Sequence, residues 1–128
     1  MRKFALFAFN GDPMCFVHVL LNALDIKEKG HEVALVVEGS ATKLVKLLSG
    51  GPGLEDFAQQ NPQMHKMIAD LFQQVKDADM ISCVCQACSN MMGSLEDAKG
   101  LALPLCSELK GHPSMTRYIE EGYEIISF

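Results

Sequence analysis

Apolar positions along the chain follow two rhythms, short unbroken runs and stretches at helical spacing, and the two alternate. Residues 3–9 (KFALFAF) are apolar and stop at Asn10-Gly11-Asp12-Pro13, a strong turn signal, so they predict a buried strand. Over residues 14–29, Phe16, Val17, Leu20, Leu21 and Leu24 recur at helical spacing, and Gly30 is a natural stop. Residues 32–37 (EVALVV) predict a second strand. Residues 41–48 resume a helical pattern, with Ser40 placed as its N-cap.

Ser49-Gly50-Gly51-Pro52-Gly53 breaks the chain, and residues 54–60 are polar enough for no more than a short helical turn. Pro62 then opens a helix through Asp77, at a position where its missing N–H is no loss. Met64, Met67, Ile68, Leu71, Phe72 and Val75 form that helix's apolar face. Residues 79–84 predict a third strand, 88–98 a helix, 103–109 a fourth strand, 113–121 a last helix and 123–128 a final strand. Strands separated by helical stretches need crossover connections. The pattern therefore predicts an α/β protein with a mainly parallel sheet and helices on both faces. The pieces on either side of the Gly-Pro break are too small to fold alone, so residues 1–128 read as one domain.

Composition narrows the function classes. The chain has 128 residues, 48% apolar and 21% charged, with a net charge of −5. No Lys/Arg stripe supports a nucleic-acid role, and acidic membrane surfaces are disfavoured on the same ground. No apolar run has the roughly 18–20 residues of a membrane span. Met1-Arg2-Lys3 resembles the start of a signal peptide, but the apolar run after it ends at Asn10, so a cytoplasmic location is expected. No paired carboxylates or Ser/His/Asp pattern suggests hydrolysis.

The chemistry lies in the cysteines. There are five, an odd number, and Cys83, Cys85 and Cys88 fall within six residues. That clustering suits reduced, reactive or metal-binding thiols better than a disulfide scaffold. Cys83 sits inside the third strand and reads first as a small core residue. Cys85 ends the strand. Cys88 follows one helical turn later, in position to act as a resolving thiol or to pack.

Sites of open α/β sheets form beyond the carboxyl ends of strands, where the strand order reverses. With order 2-1-3-4-5, strands one and three are neighbours, and Asn10, Gly11 and Asp12 lie beside the cysteine loop as a candidate ligand pocket. Asn10 and Asp12 also read simply as turn formers. A thiol at a helix start meets free N–H groups and is expected to have a lowered pKa. The same N–H groups can hold a persulfide anion. His112 follows the fourth strand at the same edge, where it can stabilise a thiolate. A metal, if one binds, would use Cys83, Cys85 and Cys88, and a fourth ligand would have to come from elsewhere in the chain. Glu38-Gly39-Ser40-Ala41-Thr42-Lys43 lacks the Walker pattern and reads as a strand-to-helix turn. His65 reads as a solvent-side residue.

Val84-Cys85-Gln86-Ala87-Cys88-Ser89-Asn90-Met91-Met92-Gly93 resembles the active loop of the DsrE/DsrF-like sulfur-relay proteins, in which a cysteine ends a strand and a glycine follows eight positions later. Asn10-Gly11-Asp12-Pro13 after strand one, and the closing Tyr123-Glu124-Ile125-Ile126-Ser127-Phe128, are similar to that family as well. The resemblance spans essentially the whole chain. It implies a three-layer α/β/α sandwich with a five-stranded parallel sheet and an oligomer, homo- or hetero-, often trimeric or hexameric. It also implies a cysteine, here Cys85, that carries sulfur as a persulfide between donor and acceptor proteins. The flanking Cys83 and Cys88 depart from the usual single cysteine of that loop. Three functions stay open: a sulfur carrier using Cys85 without an organic cofactor, a binding or regulatory subunit with structural or metal-ligating cysteines, and a thiol–disulfide protein using Cys85 and Cys88.

Overall fold

A computed structural model describes residues 1–49 and 59–128. The loop expected at 50–53 and most of the helical turn expected over 54–60 lie outside the described residues.

Strand β1 (Lys3–Ala8) leads through helix α1 (Pro13–Glu28) to β2 (Glu32–Val37). The two strands pair in parallel from Lys3↔Glu32 to Ala8↔Val37. A 3₁₀ turn (Gly39–Lys43) then opens α2 (Leu44–Ser49). The helical start expected at Ser40 is thus displaced. Gly39 takes φ +56°, and the backbone reverses there before the α-helix begins.

Helix α3 (Pro62–Asp77) has the bounds its apolar spacing predicts and leads to β3 (Ile81–Cys85). A single helix expected over 88–98 is instead two, α4 (Gln86–Met91) and α5 (Leu95–Gly100). Gly93, at φ +69°, stops the first in a left-handed turn, and Ser94 N–H closes back onto Ser89 O at 2.8 Å. Strand β4 (Leu105–Cys106) has two residues, far fewer than the seven-residue stretch that was expected. Helix α6 (Met115–Glu120) and strand β5 (Glu124–Ser127) complete the chain.

The five strands among the described residues are all parallel, in the order β4-β3-β2-β1-β5. The expected order 2-1-3-4-5 is wrong. Each crossover from β1 to β4 steps in the same direction, and β5 alone returns to the other side of β1. Strand β2 therefore separates β1 from β3, and the supposed adjacency of their following loops disappears.

Alternation sorts the side chains between the two sheet faces. Leu6, Ala8, Val33, Leu35, Val37 and Val84 join the core formed with α1, α2, α3 and α5, where Phe16 and Phe72 bring their rings to 6.4 Å. Burying each large side chain in that core contributes about 1.5–3 kcal/mol. The opposite face gathers Ala5, Phe7, Ala34, Val36, Cys83 and Cys106 around Tyr118 of α6. Tyr118 stands edge-on to Phe7 and Tyr123 and shares a 2.6 Å hydrogen bond with Ser82 Oγ. His65, expected at the solvent side, is half-buried with its Nε2 3.0 Å from Leu47 O. No helix among the described residues is long and apolar enough to cross a membrane.

Candidate functional site: a buried thiol at the end of a central strand

Strand β3 ends at Cys85, and the chain turns there directly into α4. Cys85 is both the last strand residue and the helix N-cap, with φ −61° and ψ 121°. Its Sγ does the capping, accepting the Cys88 backbone N–H at 3.4 Å. Ser89 Oγ donates to the Cys85 carbonyl at 2.7 Å. Cys85 and Ser89 are both fully buried.

The strands on either side of β3 complete the site. After β4 the chain makes a tight turn in which Leu109 and His112 exchange backbone hydrogen bonds. Gly111 takes φ +92°, and its carbonyl accepts the Ala87 N–H at 2.9 Å. A Cβ at this glycine would stand 3.1 Å from Ala87 Cβ. The turn aims His112 back over the sheet edge, with Nδ1 3.2 Å from Cys85 Sγ and 3.6 Å from Cys88 Sγ. From the other side Glu38, the residue after β2, brings Oε1 to 3.9 Å from the same Nδ1. One donor atom from each of Glu38, Cys85, Cys88 and His112 lies within 4.8 Å of every other.

Burial dominates the electrostatics. It pushes the Cys85 thiol up from the ordinary 9.0 to about 12, and the neighbouring Cys88 thiol and Glu38 carboxylate push the same way. The Cys88 backbone N–H is the force acting against them. The expectation of a lowered pKa at a helix start is overturned. Helix α4 is only six residues long and gives the sulfur one N–H, while the sulfur has lost its contact with water. Burial also raises the Glu38 carboxyl, partly offset by His112. The resting Cys85 is therefore a neutral thiol. It becomes a nucleophile only when its proton has somewhere to go; Gly111 O accepts from the thiol at 3.7 Å but cannot take the proton, whereas His112 Nδ1, with its own proton on Nε2, can.

The cysteines expected to act together separate into two sets. Cys83 is bonded to Cys106 across β3 and β4, with Cα atoms 5.6 Å apart, on the face away from most of the helices. It takes no part in a metal set with Cys85 and Cys88, and the preference for reduced or metal-binding thiols fails for this pair. Cys15, Cys85 and Cys88 are free thiols. Asn10, Gly11 and Asp12 follow β1, one strand removed from β3. Asn10 Oδ1 accepts the Asp12 N–H and Asp12 Oδ1 accepts the Met14 N–H, each at 2.8 Å, so both side chains serve the turn and the cap of α1. Gly11 leaves room for Lys43 and the Ser40 carbonyl, which a Cβ would meet at 2.6 and 2.8 Å. Sequence pattern alone misses Glu38 and Gly111. Glu38 reads as the first residue of a strand-to-helix turn, although a carboxylate just past the carboxyl end of a strand is an available signal.

The fold and site define a small parallel α/β protein with a free cysteine at the carboxyl end of a central strand, in contact with a histidine from the next strand's loop. The chain belongs to the DsrE/DsrF-like family, whose model matches residues 5–128. It is similar to an uncharacterized protein of Methanocaldococcus jannaschii, 36% identical over 110 residues that make up 86% of this chain and 77% of that one. It is also similar to two uncharacterized proteins of Archaeoglobus fulgidus. One is 57% identical over 37 residues, 29% of this chain and all of the relative, and the other is 44% identical over 41 residues, 32% and 67% of the two chains. No solved structure matches the chain.

Proposed function

We propose that this protein is a sulfur carrier in which Cys85 holds sulfane sulfur as a persulfide and passes it to a cysteine of a partner protein. The observation that carries the reading is the 3.2 Å approach of His112 Nδ1 to Cys85 Sγ at the end of β3, in a chain of the DsrE/DsrF-like family.

In the loading step His112 takes the Cys85 proton, and the thiolate attacks the outer sulfur of a donor persulfide. A new S–S bond forms on Cys85 as the donor's S–S bond breaks. The donor leaves as a thiolate and recovers the proton. No net oxidation occurs, since one sulfane sulfur has moved between two thiols. Unloading is the same exchange with the acceptor thiol attacking. The Cys88 N–H that now meets Cys85 Sγ is placed to donate to the persulfide. The carrier is proposed to act in a cytoplasm, where partner thiols are kept reduced, with the buried Cys83–Cys106 bond standing as an exception to the rarity of disulfides there.

Persulfide-selective alkylation after incubation with inorganic polysulfide, mapped by peptide mass, tests the assignment. The label is expected on Cys85. Labelling confined to Cys15 or Cys88 would overturn it.

A further inference from the structure

The Cys85 neighbourhood holds more than a nucleophile needs. Four side chains of three residue types, from three successive strand ends, converge there. They offer two sulfurs, one imidazole nitrogen and one carboxylate oxygen. Tetrahedral zinc binds sulfur at about 2.3 Å and nitrogen or oxygen at about 2.0–2.2 Å, which sets the edges between its ligand atoms at about 3.3–3.8 Å. From His112 Nδ1 the edges to Cys85 Sγ, Cys88 Sγ and Glu38 Oε1 are 3.2, 3.6 and 3.9 Å. The three edges that meet at the histidine are close to that size, and all four atoms lie within 4.8 Å of one another, so small side-chain shifts would close them around an ion.

The surroundings suit a metal as well. Cys85-Gln86-Ala87-Cys88 puts both thiols on one turn at a helix start, and the Cys88 N–H already donates to Cys85 Sγ. A donor to a ligating sulfur is the kind of outer contact that orients and tunes a metal ligand. The His112 turn is fixed by the Ala87 N–H to Gly111 O bond, so the imidazole is held by backbone and not by its own side-chain freedom. Thiolate and imidazole donors select borderline and soft ions such as zinc over magnesium or calcium.

We propose that Glu38, Cys85, Cys88 and His112 form a tetrahedral site for a zinc-type divalent ion. Binding releases the two thiol protons, and the ion then holds the lone pair that Cys85 would use to accept sulfur. Metal and sulfane sulfur therefore exclude each other at this cysteine. The site needs no sulfur chemistry to exist, so it stands or falls separately from the carrier reading.

The test is a titration of the whole, chelator-treated protein with Co²⁺, followed by displacement with Zn²⁺, with no sulfur donor present. One equivalent of Co²⁺ is expected to bind, giving the intense visible bands of a tetrahedral ion and a thiolate-to-cobalt charge-transfer band in the near ultraviolet, all removed by Zn²⁺. Cys88→Ser should abolish part of the charge-transfer intensity and weaken binding by at least about tenfold, on the scale of losses from a disturbed metal shell. Glu38→Gln, which keeps its shape and disturbs folding least, should weaken Co²⁺ binding while leaving the charge-transfer band in place at saturation. Cys15→Ser should change nothing. Absence of a charge-transfer band in the wild-type protein would overturn the site, as would undiminished binding in both Cys88→Ser and Glu38→Gln. Sulfur loading of Cys85, measured separately on metal-free protein, is untouched by either result.

Discussion

Cys85 Sγ lies 3.2 Å from His112 Nδ1, although 27 positions separate the two residues in the chain. Two strand ends create the contact: Cys85 closes β3, and His112 sits in the turn that follows its neighbour β4. The thiol is buried and neutral at rest, so its reactivity depends on that histidine. Replacing His112 with Asn keeps a polar side chain but removes the proton acceptor. Sulfur loading at neutral pH is expected to fall by about 10²–10⁴-fold, the usual contribution of a positioned base. The variant should recover rate as pH rises, because hydroxide can then remove the proton. A rate that stays low at every pH would point to lost structure instead.

Glu38 works against the thiolate. Its carboxylate helps to push the Cys85 thiol up, so Glu38→Gln should make Cys85 easier to ionise. The measurable outcome is faster alkylation of Cys85 by iodoacetamide near neutral pH, with Cys15 alkylated at an unchanged rate as an internal reference. Slower alkylation would mean that Glu38 assists the thiolate through His112.

The same burial leaves a mark on stability. The folded Cys85 has its pKa raised to about 12 from an ordinary 9.0. The folded state keeps the proton over a range where the unfolded state loses it. Its stabilising contribution is therefore whole below pH 9 and is lost as pH rises toward 12. Urea unfolding of the wild type should show a steeper alkaline loss than Cys85→Ser, and the two curves should run parallel below pH 9. Identical slopes in the alkaline range would show that the thiol is not protonated by its burial.

Gly111 and Gly30 share a left-handed backbone, at φ +92° and +91°. An alanine strains either position by roughly 1–2 kcal/mol. At Gly30 the added methyl meets open space, whereas at Gly111 it would sit 3.1 Å from Ala87 Cβ. Gly111→Ala should therefore displace the turn that carries His112 and slow sulfur loading severalfold beyond its stability cost. Gly30→Ala should lower stability and leave loading intact. Equal loading by the two variants would remove Gly111 from any positioning role.

On the far face of the sheet, Tyr118 fills the centre of the smaller core and its hydroxyl meets Ser82 Oγ at 2.6 Å. Tyr118→Phe keeps the ring contacts with Phe7 and Tyr123 but strands the serine hydroxyl. A loss of about 1 kcal/mol in denaturant unfolding is expected, with sulfur loading unchanged.

The elements of this fold are legible where the chain speaks in long, unmixed patterns. Residues 32–37 and 62–77 have the bounds predicted from β-rich composition, apolar spacing and Pro62. Strand order is a matter of which way each crossover steps, and local pattern does not record that. One clue was present: the expected order puts β2 at an edge, yet residues 33–37 are an unbroken apolar run without charge or proline, two of the features that often blunt a long exposed edge. Gly93 reads in the sequence as a spacing landmark of the cysteine loop, and its left-handed turn also divides α4 from α5. The Cys83–Cys106 bond depends on β3 and β4 being neighbours in a particular register, across 23 positions. His112 was legible from its place after the fourth strand. Glu38 has the same kind of place after the second, but in sequence it is indistinguishable from an ordinary turn residue.

The most direct test of the carrier assignment is intact mass spectrometry of the wild type and Cys85→Ser after incubation with polysulfide, without reductant and then with it. Added sulfur on the wild type alone, removed by reductant, is the predicted result. Equal sulfur on both proteins, or none on either, would contradict Cys85 as the carrier.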